Sequence, residues 1–130
     1  MAEKFRIHGG EALKGEISIG GAKNAVLKIL AATILVKGVT KVYNVPKLTD
    51  VDIILNVLSD LGAKYIYNRE EKSVEVDAAN ITSITAKYEL VSKMRASFII
   101  LGALVSRCHE AIVALPGGCA IGERRVDFHI

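Results

Sequence analysis

A glycine-rich segment, residues 116–122, carries the cysteine whose surroundings best suit chemistry. It reads Pro-Gly-Gly-Cys-Ala-Ile-Gly, with Cys119 at its centre and Arg124 and Arg125 shortly after it. Nearby cationic groups favour the thiolate form of a cysteine, and glycines let the backbone approach a ligand closely. The pattern is typical of a thiol that acts as an acid, a nucleophile or a covalent trap. A glycine-rich surface loop with an incidental thiol fits the same residues.

A second candidate site is the segment of residues 20–24, Gly-Gly-Ala-Lys-Asn, which precedes a predicted helix. The N-terminus of a helix attracts anions, and Lys23 adds a positive charge there. The glycine and lysine spacing does not match a Walker loop or a GxGxxG motif. The alternative is a glycine turn in which Lys23 is solvated and Asn24 caps the helix.

Two further residues are open to more than one interpretation. Arg95 stands near the start of an apolar helix face, where its guanidinium needs an anion, a carbonyl group or a structural ion pair. Asp127 lies at a predicted helix start, so it either caps that helix or contacts a hydroxyl or amide of a bound sugar. Cys108, at the end of an apolar helix, is interpreted as a small core residue.

The composition describes a soluble globular domain and excludes several classes of function. Of the 130 residues, 51% are hydrophobic and 24% are charged, and the net charge is only +3. The basic residues form no run with interleaved aromatic residues, so we expect no nucleic-acid partner. The longest apolar run, residues 96–105, is far shorter than the roughly 20 residues that span a bilayer. The two cysteines lack disulfide or zinc-site spacing, and we expect a cytoplasmic protein with no metal.

Hydrophobic periodicity and turn residues predict an alternation of helices and short strands. The predicted helices cover residues 24–36, 50–61 and 92–106. In the second helix, Thr49 is the predicted N-cap, Asp52 completes a capping box and Gly62 ends the helix. The predicted strands cover residues 4–8, 16–19, 39–43, 65–67, 73–76 and 111–115.

The order of elements indicates an internal repeat in the sequence. Lys23 matches Arg95, Pro46 matches Pro116, and Asp52 matches Asp127. The second unit is longer between its proline and its aspartate, and the added residues form the loop around Cys119. The helix that begins near Asp127 has no following strands to pack on. We therefore expect a truncated polypeptide that holds the first repeat and part of the second.

Four segments, in their order and spacing, resemble the UDP-N-acetylglucosamine enolpyruvyl transferases. The resemblance covers the whole chain, and the cysteine loop is its most specific part. The related enolpyruvylshikimate-phosphate synthases lack that loop. Lys28 and Arg125 depart from the family pattern, which usually has proline at both positions. The four segments are residues 21–25 (Gly-Ala-Lys-Asn-Ala), 44–52 (Asn-Val-Pro-Lys-Leu-Thr-Asp-Val-Asp), 94–97 (Met-Arg-Ala-Ser) and 116–122.

The resemblance implies an inside-out α/β barrel of two domains, each built from three repeated units. Residues 1–22 would be opening strands that belong mostly to a domain encoded beyond Ile130. Residues 23–130 would be the first part of the domain that carries the catalytic loop. The implied reaction transfers the enolpyruvyl group of phosphoenolpyruvate to UDP-N-acetylglucosamine, without a cofactor, at the first committed step of bacterial peptidoglycan precursor synthesis.

Site roles follow from the same resemblance. Lys23 and Asn24 would contact phosphoenolpyruvate, and Arg95 would bind at the nucleotide-sugar site. Cys119 would protonate the enolpyruvyl carbon and would be trapped by epoxides such as fosfomycin. The carboxylate base for the sugar hydroxyl would lie outside this sequence. The remaining residues that would line the nucleotide-sugar site are Arg124, Arg125, Val126, Asp127 and Phe128.

Two other functions remain as alternatives. A truncated, non-catalytic product or substrate-binding remnant would have the same segments without a complete site. An enolpyruvylshikimate-phosphate synthase would share the fold, but the presence of Cys119 disfavours it.

Overall fold

The computed structural model describes residues 4–92, 94 and 98–114. The elements are α1 (Lys23–Ala32), a 3₁₀ turn (Thr33–Leu35), β1 (Val39–Val42), α2 (Thr49–Asp60), β2 (Lys64–Asn68), β3 (Ser73–Asp77), β4 (Thr85–Ala86), α3 (Tyr88–Val91), α4 (Ile100–Cys108) and β5 (Ile112–Val113). The predicted mixed α/β class is confirmed. None of the helices in these ranges has the length and apolar character needed to cross a bilayer.

Helix α2 forms because its apolar residues recur at helical spacing. Val51, Ile54, Leu55 and Leu58 lie on one face, and all four are fully buried. The helix ends as predicted at Gly62, whose φ of 108° is a backbone conformation that residues other than glycine rarely adopt. The N–H groups of Gly62 and Ala63 donate to the last turn of α2.

The predicted hairpin is confirmed and forms part of a three-stranded antiparallel sheet. The strand order is β1-β3-β2, so β3 pairs on both sides. The turn of the hairpin is held by the side chain of Asn68, which accepts hydrogen bonds from the N–H groups of Glu70 and Glu71 at 3.1 Å. The inward residues of the central strand, Val74 and Val76, are fully buried.

In the described part of the chain, an apolar core joins this sheet to the helices. Helix α1 packs against α2, and α4 packs against the 3₁₀ turn. The largest fully buried side chains are all aliphatic: Leu27, Leu30, Ile34, Ile54, Leu55, Leu58, Leu61, Ile100, Leu104, Val45, Val51 and Val57. The core therefore holds the N-terminal ends of α1 and α2 in a fixed relation.

The predicted opening strands, residues 4–8 and 16–19, are not formed. These residues are neither helix nor strand, and their apolar side chains are almost fully exposed. A strand needs a neighbour for its backbone hydrogen bonds, and in the described part of the chain residues 4–20 pair with no strand. The alternation of residue types did not decide the structure here.

Two other local predictions were wrong. Helix α2 has Leu48 as its N-cap, with no side-chain capping bond, instead of the predicted Thr49–Asp52 capping box. The carboxylate of Asp52 instead accepts a hydrogen bond from Arg69 at 2.6 Å. The predicted helix over 92–106 is also different, because residues 92 and 94 are not helical and α4 begins at Ile100. The short β4, which pairs with β5 in parallel, was not predicted.

Candidate functional site

Of the predicted site residues, the structure describes Lys23 and Asn24. They are the first two residues of α1, and both are exposed. The remaining predicted site residues lie outside the described part of the chain: Arg95, Cys119, Arg124, Arg125, Val126, Asp127 and Phe128. Pro116 and Arg95 also carry the proposed repeat, which therefore stays a prediction.

The N-terminal end of α1 has an electrostatic character that suits an anion. Its N-cap, Ala22, has an extended backbone and no side-chain group that could accept a hydrogen bond. The first turn contains no acidic residue and contains Lys23. The helix dipole and the ammonium group therefore have the same sign at this end. Asn24 does not cap the helix, so the alternative in which Asn24 is the cap is wrong.

The Lys23 ammonium forms an ion pair with Asp50, in the first turn of α2. The Lys23 side chain is 53% exposed and that of Asp50 is 25% exposed. An ammonium group has three N–H donors, so a carboxylate on one side leaves donors for a further anion. The pair thus links the starts of the two helices and leaves the lysine accessible to solvent.

The backbone before Lys23 is held by a close contact at Gly21. A β-carbon at this position would overlap the carbonyl oxygen of Asn44 and would lie 3.2 Å from Cδ of Pro46. Only glycine therefore allows residues 20–22 to approach the segment of residues 44–48 this closely. Asn44 itself has a φ of 55°, a left-handed conformation that asparagine tolerates.

Residues 44–48 are braced by the hairpin on their other side. The N–H of Val45 donates to the carbonyl of Lys72 at 2.8 Å, and the Tyr67 hydroxyl donates to the carbonyl of Pro46 at 3.1 Å. The Arg69 guanidinium lies 4.8 Å from the centroid of the Tyr67 ring. Burial raises the pKa of Tyr67, and the charge of Arg69 opposes this shift. The segment that leads into α2 is thus fixed on both sides.

Cys108 takes the structural place predicted for it. It is the last residue of α4, it is half-buried, and it packs against the apolar core. Arg107, the residue before it, donates to the carbonyls of Ile34, Ala78 and Ala79, each at 3.1 Å. Arg107 thus ties α4 to the end of β3 and to the 3₁₀ turn.

Asp50 is the partner of Lys23 in the candidate site, and sequence reasoning missed it. It falls in a Thr-Asp-Val-Asp run at a helix start, where acidic residues are expected for helix capping and for the dipole. Nothing in the spacing indicates that Asp50 faces Lys23, 27 residues earlier, because that contact depends on how α1 packs against α2. The signal that was available is an uncompensated lysine in the first turn of a helix.

The sequence comparisons define the family of this chain. The sequence profile of the EPSP synthase (3-phosphoshikimate 1-carboxyvinyltransferase) family matches residues 7–130. The chain therefore belongs to the EPSP synthase family. Its curated relatives carry a narrower name. A UDP-N-acetylglucosamine 1-carboxyvinyltransferase of Dichelobacter nodosus is 57% identical over 128 residues, which are 98% of this chain and 30% of the relative.

Other relatives and one solved structure agree with this assignment. A UDP-N-acetylglucosamine 1-carboxyvinyltransferase of Rickettsia bellii is 53% identical over 130 residues. The crystal structure of the enolpyruvyl transferase NikO from Streptomyces tendae has a TM-score of 0.65 at 27% identity, over 78% of this chain and 23% of that chain. The chain thus has the fold of part of an enolpyruvyl transferase. It spans about 30% of the length of the curated relatives it matches.

Proposed function

We propose that this chain is part of an enzyme that transfers the enolpyruvyl group of phosphoenolpyruvate to UDP-N-acetylglucosamine. The observation that carries the proposal is the 57% identity over 98% of the chain to a relative named for that carboxyvinyl transfer. The exposed Lys23, at the N-terminus of α1, supports it because phosphoenolpyruvate is a polyanion. In this proposal the reaction belongs to bacterial peptidoglycan precursor synthesis and takes place in the cytoplasm.

In this proposal Lys23 and Asn24 contact phosphoenolpyruvate, and Cys119 supplies the proton for its methylene carbon. The sugar hydroxyl forms the new C–O bond and loses its proton to a carboxylate base outside this sequence. Phosphate then leaves: the C–O bond to it breaks, and the former methylene carbon gives back the proton that it received. The nucleotide sugar is bound by Arg95 and by residues 124–128, because guanidinium groups suit phosphate recognition.

The proposed architecture is the inside-out α/β barrel. Residues 1–22 belong mostly to a second domain, and residues 23–130 form the first part of the domain with the cysteine loop. The exposed apolar side chains of residues 4–20 support this division, because a second domain would supply strands on which they pack. The isolated 130-residue chain therefore holds part of the site and has no activity of its own.

A hybrid enzyme tests the proposed function. The 128 matched residues of the Dichelobacter nodosus relative are replaced by those of this chain, and phosphate release is measured with both substrates. We expect turnover that requires both substrates and is abolished by Cys119→Ser. Lys23→Ala should lower kcat/KM for phosphoenolpyruvate. The loss should correspond to the roughly 1.5–3 kcal/mol that a charged hydrogen bond contributes.

The matched control for Lys23→Ala is Lys28→Ala, which removes an exposed lysine from the same helix. Its kinetics should equal those of the unsubstituted hybrid. A correctly folded hybrid without turnover, beside an active parent, would contradict the proposed function. Turnover with shikimate 3-phosphate in place of the nucleotide sugar would instead favour the synthase for which the family is named.

A further inference from the structure

We propose that Asp50 is a positioning residue for Lys23, holding its ammonium group where phosphoenolpyruvate binds. This inference rests on the proposed function. Asp50 touches no reacting atom in this account and acts through the lysine. The observation that carries it is the ion pair between the two side chains, which joins the first turns of α1 and α2.

Lys23 needs such a partner because its place in α1 is unfavourable for a cation. The positive end of the helix dipole repels an ammonium group in the first turn, and a lysine side chain has many rotamers. Without Asp50 both effects move the ammonium away from the helix end and into solvent. With Asp50, the ammonium is held at the first turn of α2, which packs against α1.

The support of Asp50 is rigid, which a positioning role requires. Asp50 is the second residue of α2, and the residue after it, Val51, is fully buried. The preceding segment is fixed by the close approach of Gly21 to Asn44 and by the hydrogen bond from Tyr67 to Pro46. The backbone that carries Asp50 is thus fixed on both sides along the chain.

The two carboxylates at the start of α2, those of Asp50 and Asp52, contact different partners. The Asp52 carboxylate accepts from Arg69 at 2.6 Å and so faces the hairpin instead of α1. Of the two carboxylates in this helix turn, one therefore contacts the lysine of the candidate site and the other contacts the hairpin. Asp52 provides a matched control with the same chemistry, the same helix turn and a different partner.

The central alternative is that Asp50 competes with the substrate for Lys23. A carboxylate near a bound phosphate repels it, but in the proposed complex the ammonium group lies between the two charges and contacts both. More than half of the Lys23 side chain is accessible while the ion pair is formed. An anion can thus bind without displacing Asp50, and the geometry favours positioning over competition.

A double-mutant cycle in the hybrid enzyme tests the inference. Asp50→Ala should raise KM for phosphoenolpyruvate about tenfold with a smaller change in kcat. Asp50→Glu should restore part of the loss. In a Lys23→Ala background, Asp50→Ala should cause no further loss, because Asp50 acts through that lysine. Asp52→Ala should leave KM for phosphoenolpyruvate unchanged.

The outcomes separate this inference from the proposed function. An inactive unsubstituted hybrid counts against the proposed function and removes the basis of both. With an active hybrid, three results overturn the inference alone: an unchanged KM in Asp50→Ala, a lowered KM, which would show competition, or equal losses with and without Lys23. Thermal unfolding of each variant shows that the comparison is made between folded enzymes.

Discussion

Residues 4–20 and the three-stranded sheet have similar alternation of apolar and polar residues and opposite structures. In the sheet, Val74 and Val76 of the central strand β3 are fully buried, and both outer strands pair with β3. In the opening segment, Phe5 is 99% exposed and Ile17 is 91% exposed, and no strand forms. Alternation defines which side chains share a face, but a strand exists only where a partner accepts its hydrogen bonds. The following substitutions test this difference in the 130-residue chain.

The largest expected effect is at Gly62, where alanine would disrupt the sheet-bearing region. Its φ of 108° disfavours a side chain, and a β-carbon would lie 2.6 Å from Oγ1 and 2.8 Å from the backbone nitrogen of Thr82. We expect Gly62→Ala to lower the free energy of unfolding by about 3 kcal/mol or more, from backbone strain and overpacking together. Urea unfolding followed by circular dichroism measures this.

Gly102→Ala is the control for that substitution. Gly102 lies within α4, and a β-carbon there would meet nothing within 4 Å. Alanine should stabilise the chain by about 0.5–1 kcal/mol, because glycine is a poor helix former. Equal effects of the two substitutions would contradict the geometry at Gly62.

The direct test of the comparison is a pair of aliphatic truncations. Leu58 is fully buried in α2, so Leu58→Ala should lower the free energy of unfolding by about 2–5 kcal/mol. Ile17→Ala removes a side chain that is 91% exposed, and its effect should stay within about 0.5 kcal/mol. A large loss in Ile17→Ala would show that the opening segment is packed in solution.

A smaller effect is expected at the boundary between the two regions. Gly21→Ala should lower the free energy of unfolding by about 1–3 kcal/mol, because the added carbon forces residues 20–22 away from the carbonyl of Asn44. Gly20→Ala is the matched control, since a β-carbon at Gly20 meets nothing within 4 Å. Urea unfolding of both variants should separate them. Equal stability of the two variants would contradict the close contact between Gly21 and the carbonyl of Asn44.

The smallest expected effect concerns the Tyr67 hydroxyl and depends on pH. Tyr67→Phe removes the hydrogen bond to Pro46 and should cost about 1 kcal/mol near neutral pH. Burial raises the pKa of Tyr67 in the folded chain, so its contribution is complete below the unfolded value of about 10 and is lost as pH rises through the folded pKa. The difference between the two proteins should therefore shrink above pH 10. A constant difference would contradict the burial.

Sequence reasoning predicted the elements that hydrophobic periodicity and turn residues define. The hairpin, β1 and α2 follow from periodicity and from turn residues such as Gly62. It failed where a side-chain contact with another element, or the absence of a strand partner, decided the outcome. Arg69 took Asp52 from its expected capping role, and residues 4–20 found no strand partner. The first turn of a helix is thus predictable in position more readily than in hydrogen bonding.

The candidate site divides in the same way. Lys23 was predicted as an anion contact from its place before a helix, and the structure puts it at the N-terminus of α1. Asp50 was not predicted, because its ion pair depends on the packing of α1 against α2. The roles of Cys119, Arg95 and residues 124–128 stay predictions from the resemblance, since these residues lie outside the described ranges.

The most direct measurement of the central claim compares the two thiols of this chain. Cys119 is proposed as the reacting thiol and Cys108 packs against the core. The hybrid enzyme is treated with fosfomycin, with and without UDP-N-acetylglucosamine, and the adduct is located by peptide mass mapping. We expect the adduct on Cys119, formed faster with the nucleotide sugar bound because closure of the site brings the thiol to its cationic groups. Cys119→Ser should abolish it. An adduct on Cys108, or equal labelling of both thiols, would contradict the account.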